Sequence, residues 1–144
     1  MKTVAEILRA KPHAAVYSVS PTSTVLDAVK LMAEKGIGAL VVLDKGRLVG
    51  IVSERDYARK VALLERSAFG AQVSEIMTAE VITIGLRDNL QDCMQLMTDR
   101  HLRHLPVLAE GELIGLLSIG DLVKETIAEQ ASLIEQLERY IRGE

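Results

Sequence analysis

Apolar runs and helical-period stretches alternate along this chain, and the whole alternation occurs twice. Val16-Tyr17-Ser18-Val19 and Val81-Ile82-Thr83-Ile84 are rich in β-branched residues and predict short strands. Each is followed by a helical pattern. In the first, Val25, Ala28, Val29 and Met32 share one face, with Thr22-Ser23-Thr24 as capping material and Gly36 as a stop. In the second, Leu90, Cys93, Met94 and Met97 do the same, with Asp88 or Asn89 as the cap. A hairpin comes next. Ala39–Asp44 and Arg47–Val52 flank Lys45-Gly46, and Leu105–Ala109 and Glu112–Leu117 flank Glu110-Gly111. These strands are apolar at nearly every position, which predicts cover on both faces. A last helix opens at Ser53 and again at Ser118.

The order strand–helix–strand–strand–helix therefore repeats, and the residues repeat with it. Gly50-Ile51-Val52-Ser53-Glu54-Arg55-Asp56 is echoed by Gly115-Leu116-Leu117-Ser118-Ile119-Gly120-Asp121, 65 positions later. Val4–Leu8 and Val73–Met77 are matching helical turns that introduce the two copies. The first copy carries about four extra residues near Lys11-Pro12-His13-Ala14. The reading divides the chain into residues 1–72, 73–127 and a C-terminal amphipathic extension, 128–144. Leading into and along that extension, Ile127, Ile134 and Ile141 recur every seven residues beside Leu137 and Tyr140. Such a stripe needs a covering surface, either the parent fold or a second subunit.

Composition narrows the function. Of 144 residues, 49% are hydrophobic but only 3% aromatic, with no Trp, so the core is aliphatic. A copy of this size is marginal alone, which predicts that the two fold together. The net charge of −3, with both signs interspersed, gives no basic stripe for nucleic acid. The longest apolar runs are far short of a membrane span, and the N-terminus lacks a signal-like apolar core, so a cytoplasmic protein is expected. Cys93 is the only cysteine, which excludes an internal disulfide and a thiolate metal site.

The candidate chemistry lies in Ser53-x-x-Asp56 and Ser118-x-x-Asp121. Each is a capping box in form: the Ser side chain takes a helical N–H and the acid reaches back. The same geometry suits a nucleotide. A helix N-terminus attracts phosphate, the hydroxyl joins it, and an Asp one turn in accepts both vicinal hydroxyls of a ribose. Gly50 and Gly115 are explained by the hairpin or by close packing of backbone. Arg100-His101-Leu102-Arg103-His104 precedes the second hairpin and is either a solvated helix end or, at Arg103 and His104, a phosphate contact. The first copy has Gly38 and Ala39 there, and Gly120 replaces Arg55, so two sites would not be equivalent.

With GIVSERD (50–56), GLLSIGD (115–121), RHLPV (103–107) and GIGALVV (36–42), the chain resembles a CBS domain pair, or Bateman module, of the stand-alone bacterial type. The resemblance covers Val4 to about Ile127. It implies an α/β (α+β) fold of tandem β-α-β-β-α repeats packed about a pseudo-twofold axis, with an extended C-terminal helix. It also implies two clefts for adenine ligands such as AMP, ADP, ATP, NAD(H) or S-adenosylmethionine. By carry-over, one cleft joins Ser53, Arg55 and Asp56 to Val81, Ile82, Leu102, Arg103 and His104. The other joins Ser118 and Asp121 to His13, Val16, Ser18, Ile37 and Ala39. The cleft with Arg55, Arg103 and His104 is expected to take the more phosphorylated ligand.

The expected function is a non-catalytic sensor of adenine nucleotides, acting in signal transduction through ligand-dependent conformation or assembly. It would work as a homodimer through CBS surfaces and the C-terminal helix, with a downstream protein partner but neither nucleic acid nor membrane. The alternative is a dimeric scaffold whose Ser-x-x-Asp motifs are only caps. An enzyme is not expected: the three His residues lack metal-ligand spacing with carboxylates, and no Walker loop or Rossmann fingerprint is present.

Overall fold

A computed structural model describes residues 2–11, 15–62 and 70–143. In chain order it contains α1 (Val4–Ala10), β1 (Ser18–Val19), α2 (Val25–Lys35), β2 (Ala39–Asp44), β3 (Arg47–Ser53) and α3 (Glu54–Tyr57). A π-helical turn over Ala58–Ala62 follows, then α4 (Val73–Ile76), α5 (Leu90–Arg100), β4 (His104–Ala109), β5 (Glu112–Ser118) and α6 (Ile119–Arg142). The fold is mixed α/β with two small sheets, β1-β2-β3 and β4-β5, and a long C-terminal helix.

Local signals act where the sequence puts them. Thr24 caps α2 by accepting from the Asp27 N–H at 3.1 Å, and Gly36 ends it in the left-handed conformation, φ 65°. Asn89 caps α5 by accepting from the Asp92 N–H at 2.8 Å. His101 takes the left-handed terminal position that Gly36 fills in the first copy, at φ 55°. Both hairpin turns have positive φ at both central residues, Lys45-Gly46 and Glu110-Gly111. That geometry matches the twist of the flanking strands.

The first strand of each copy is shorter than its sequence predicts. β1 keeps only two residues, paired parallel to β2 through Ser18–Val41 and Val19–Val42. In the second copy a single bridge remains, Ile84 to Val107. Pro106 supplies the reason. The Val41 N–H donates to the Tyr17 carbonyl at 3.4 Å, and Pro106 occupies the matching position without an N–H. Its carbonyl still accepts from Ile84 at 3.0 Å, which is the bridge that survives.

Contacts divide the chain into two compact units that do not follow the repeat boundary. One contains residues 1–14, 84–107 and 115–144; the other contains 15–83 and 108–114. The opening turns are exchanged. In the first unit, Thr3 bridges Asn89, the Val4 N–H donates to the Asp88 carbonyl at 2.8 Å, and Leu8 covers Gly115. In the second unit, Gln72 bridges Thr24, the Val73 N–H donates to the Ser23 carbonyl at 2.8 Å, and Met77 covers Gly50. Each opening turn thus braces the long helix and sheet of the other copy.

The core of the second unit gathers Val25, Ala28, Met32, Leu40, Val42, Val52 and Ile76. In the first unit Leu90, Cys93, Met97, Leu105, Leu117 and Leu122 are buried, and α6 contacts α1 and α5. Burial pushes the Cys93 thiol up to about 11, with Asp88 and Asp92 adding to the shift. It is an unreactive core residue.

Candidate functional site

Both Ser-x-x-Asp motifs stand where a strand passes into a helix. In the second unit β3 ends at Ser53 in extended backbone, and the chain turns into α3. The Ser53 N–H donates to Asp56 Oδ2 at 2.9 Å, and the Asp56 N–H donates to Ser53 Oγ at 3.2 Å. The Ser53 hydroxyl also donates to Asp56 Oδ2, at 3.1 Å. The other carboxylate oxygen faces Lys60, whose Nζ is 3.3 Å from Oδ1 and donates to the Ile76 carbonyl at 2.8 Å.

The first unit repeats this design with one change of source. The Ser118 N–H donates to Asp121 Oδ2 at 2.8 Å, and the Asp121 N–H donates to Ser118 Oγ at 3.2 Å. Here the cation is Lys11, at the end of α1. Its Nζ lies 3.0 Å from Asp121 Oδ2 and donates to the Leu116 carbonyl at 2.7 Å. The position matching Lys60 is Glu125, which is buried and paired with Lys2. Burial alone would raise the Asp121 carboxyl. The Ser118 N–H and the Lys11 ammonium outweigh it and hold the group below the usual carboxylate value.

Each motif stands beside the strand entrance of its own repeat, because the returning strand of a hairpin ends where the outgoing one begins. The Glu54 N–H donates to the Gly38 carbonyl at 3.0 Å, and Ala39 pairs with Ser53. Likewise the Ile119 N–H donates to the Arg103 carbonyl at 2.8 Å. The structure therefore brings Ile37 and Ala39 to Ser53 and Asp56, and Leu102, Arg103 and His104 to Ser118 and Asp121. The sequence grouping crosses these sets, and hairpin geometry was the signal that links them. Arg55 is exposed on the first turn of α3. Val16 is partly buried and Ser18 exposed, and His13 lies outside the described residues.

Lys11 and Lys60 carry the electrostatics of the motifs, and sequence reasoning gave neither a role. Lys60 was open to discovery as the residue one turn after Asp56. Lys11 was not, since the carbonyl it binds is 105 positions away. Val81 lines an open cavity of about 550 Å³ with Gly46, Arg47, Leu48, Leu108 and Leu113. Among the described residues no cluster of His, Cys, Asp and Glu could hold a metal, and no helix is long and apolar enough to cross a membrane.

His104 sits at this junction with its imidazole below the ordinary value. Burial is the main cause, the Lys11 and Arg103 charges add to it, and Asp121 opposes it. The fold therefore favours neutral imidazole. The stability this confers is complete above about pH 6.5 and declines as pH falls through that value. We expect the urea midpoint to fall between pH 7.5 and 5.5, and to fall less in His104→Gln. Equal slopes in the two proteins would contradict the assignment.

The CBS domain family model matches residues 4–63 and 73–139. The mitochondrial CBS domain-containing protein CBSX3 of Arabidopsis thaliana is 38% identical over 149 residues, covering 98% of this chain and 72% of that protein. A solved structure of a protein with CBS domains from Burkholderia ambifaria MC40-6 is 56% identical. It superposes with a TM-score of 0.86 over 90% of this chain and 96% of its own. The CBS domain pair of protein MJ0100, crystallised in complex with 5′-methylthioadenosine and S-adenosyl-L-methionine, has a TM-score of 0.76 at 23% identity. It covers 89% of this chain and 98% of its own, and shares the fold.

Proposed function

Since the chain belongs to the CBS-domain family, we propose that it is a non-catalytic regulatory module that binds adenosine-containing ligands at its two Ser-x-x-Asp motifs. One observation carries this reading. Each motif holds a part-exposed carboxylate beside a helix N-terminus, with a lysine ammonium within 3.3 Å. A purely structural cap needs no such cation. The same fold in a pair that holds two adenosine compounds supports the ligand class.

In this proposal Asp56 and Asp121 accept the ribose hydroxyls, while Ser53 and Ser118 stand with the helix N-termini for phosphate. Val16, Ser18, Ile37 and Ala39, and likewise Val81, Ile82 and Leu102, line the adenine. Arg55, Arg103 and His104 add positive or titratable charge suited to AMP, ADP, ATP or NAD(H). Bound ligand then shifts the population of one conformation or assembly, which a downstream protein reads in the cytoplasm.

The assembly is a homodimer. On α6, Ile127, Leu133, Ile134 and Leu137 are more than half exposed, and Tyr140 and Ile141 are 82% exposed. A second copy covers this face by heptad packing. Ile134→Glu with Ile141→Glu is expected to convert a dimer to a monomer in sedimentation. A wild-type monomer, or a variant that remains dimeric, would contradict this interface.

The test of ligand binding is a thermal melt of nucleotide-free protein. A ligand at a hundred times its Kd stabilises the fold by about 2.7 kcal/mol. The capping boxes observed at both motifs favour one competing reading, a scaffold in which they act only as caps. That reading expects about 1 kcal/mol lost on Ser118→Ala and no shift with any adenine ligand.

A further inference from the structure

Resting on the nucleotide reading above, we propose that Lys11 selects phosphorylated adenosine ligands at the Ser118–Asp121 motif by exchanging Asp121 for a ligand phosphate. Asp121 Oδ2 already accepts the Ser118 N–H at 2.8 Å and faces the Lys11 ammonium at 3.0 Å. A ribose that uses both carboxylate oxygens competes with Lys11 for that oxygen. The two side chains are only 24% and 23% exposed, so water compensates poorly for a broken pair. A neutral nucleoside takes the carboxylate and offers the ammonium nothing. A nucleotide takes the carboxylate and returns a phosphate to the ammonium, close to Arg103 and His104.

The residues are arranged for exchange rather than for a fixed brace. Lys11 lies just past the last turn of α1, where the chain leaves helical geometry. Its other partner is a backbone carbonyl, that of Leu116, so the ammonium stays anchored within the unit. A lysine is a point charge on a flexible stem with three rotatable donors, suited to trading partners. The cation is also a specific provision of this motif. The second copy has Glu125 where the first has Lys60, and Glu125 is turned to Lys2. Among the described residues, Lys11 is the counterpart at Asp121 to the ammonium that serves Asp56.

The test is calorimetric titration of the full chain with adenosine and with AMP, in an Asp56→Ala background so that only the Ser118–Asp121 motif reports. With Lys11 present, AMP is expected to bind at least about tenfold more tightly than adenosine. In Lys11→Met the ratio falls to within about threefold, since adenosine gains from the vacated carboxylate and AMP loses a charge-assisted contact. Lys11→Arg keeps the preference. Lys11→Gln serves as a second neutral variant should circular dichroism show Lys11→Met unfolded. A neutral variant that binds AMP and adenosine with the original ratio overturns the selection by Lys11 and leaves the nucleotide reading intact. Wild-type protein that binds neither compound overturns both.

Discussion

Asp121→Ala is expected to weaken binding of an adenine nucleotide at its motif by about a hundredfold, with the fold intact. The carboxylate is the acceptor for two ribose hydroxyls, and hydrogen bonds to a charged group contribute roughly 1.5–3 kcal/mol each. At the lower figure, loss of the pair corresponds to about two decades in Kd. The structural cost is smaller. The substitution removes the acid half of one capping box and the Lys11 partner, but the Ser118 hydroxyl still accepts a helical N–H. About 1 kcal/mol of stability is expected to go. Calorimetry with AMP, beside urea unfolding of the same protein, separates the two effects. Full affinity in Asp121→Ala would show that the carboxylate is a cap alone.

Gly50→Val is expected to give the largest loss of stability, roughly 2–3 kcal/mol by overpacking. A Cβ on Gly50 would lie 2.5 Å from Met77 Sδ and 3.1 Å from the Thr78 carbonyl oxygen. The thioether end can swing away. The carbonyl cannot, because Ile51 and Thr78 are clamped by two backbone hydrogen bonds of 3.0 and 2.9 Å. Gly115 provides the comparison. There the three atoms nearest a Cβ all belong to the flexible Leu8 side chain, the first at 2.8 Å. Gly115→Ala should therefore cost less than half as much as Gly50→Val. Urea unfolding of both variants checks the order, and a reversal would mean that the opening turns do not brace the opposite copies.

These glycines show how far the sequence was legible. Close packing at Gly50 and Gly115 was readable, since each interrupts an apolar strand three residues before the motif serine. The atoms that approach them were not, because Met77 and Leu8 arrive from the opposite copies. Caps and turns were legible because they are written within a few residues: Thr24, Asn89, Gly36, Lys45-Gly46 and Glu110-Gly111 all act locally. His101 replaced Gly36 at a helix end without the signal a glycine gives. Pro106 was visible in RHLPV, yet its effect on the neighbouring strand required the parallel register to be known.

The candidate site divides in the same way. Ser-x-x-Asp at a strand-to-helix junction is a local pattern, and duplication raised it above an ordinary cap. Lys11 with Asp121, and Lys2 with Glu125, are long-range pairs that no spacing encodes. The asymmetry between the copies was readable in Arg103 and His104. The structure adds that the cation beside Asp56 comes from the π-helical turn that follows α3, while the one beside Asp121 comes from the residue just past α1.

The most direct test of nucleotide binding is a calorimetric titration of the nucleotide-free chain with AMP, ADP, ATP, NAD(H) and S-adenosylmethionine. Saturable binding of at least one of them is expected, abolished when Asp56→Ala and Asp121→Ala are combined. No binding of any of the five, or binding that survives the double substitution unchanged, would contradict it.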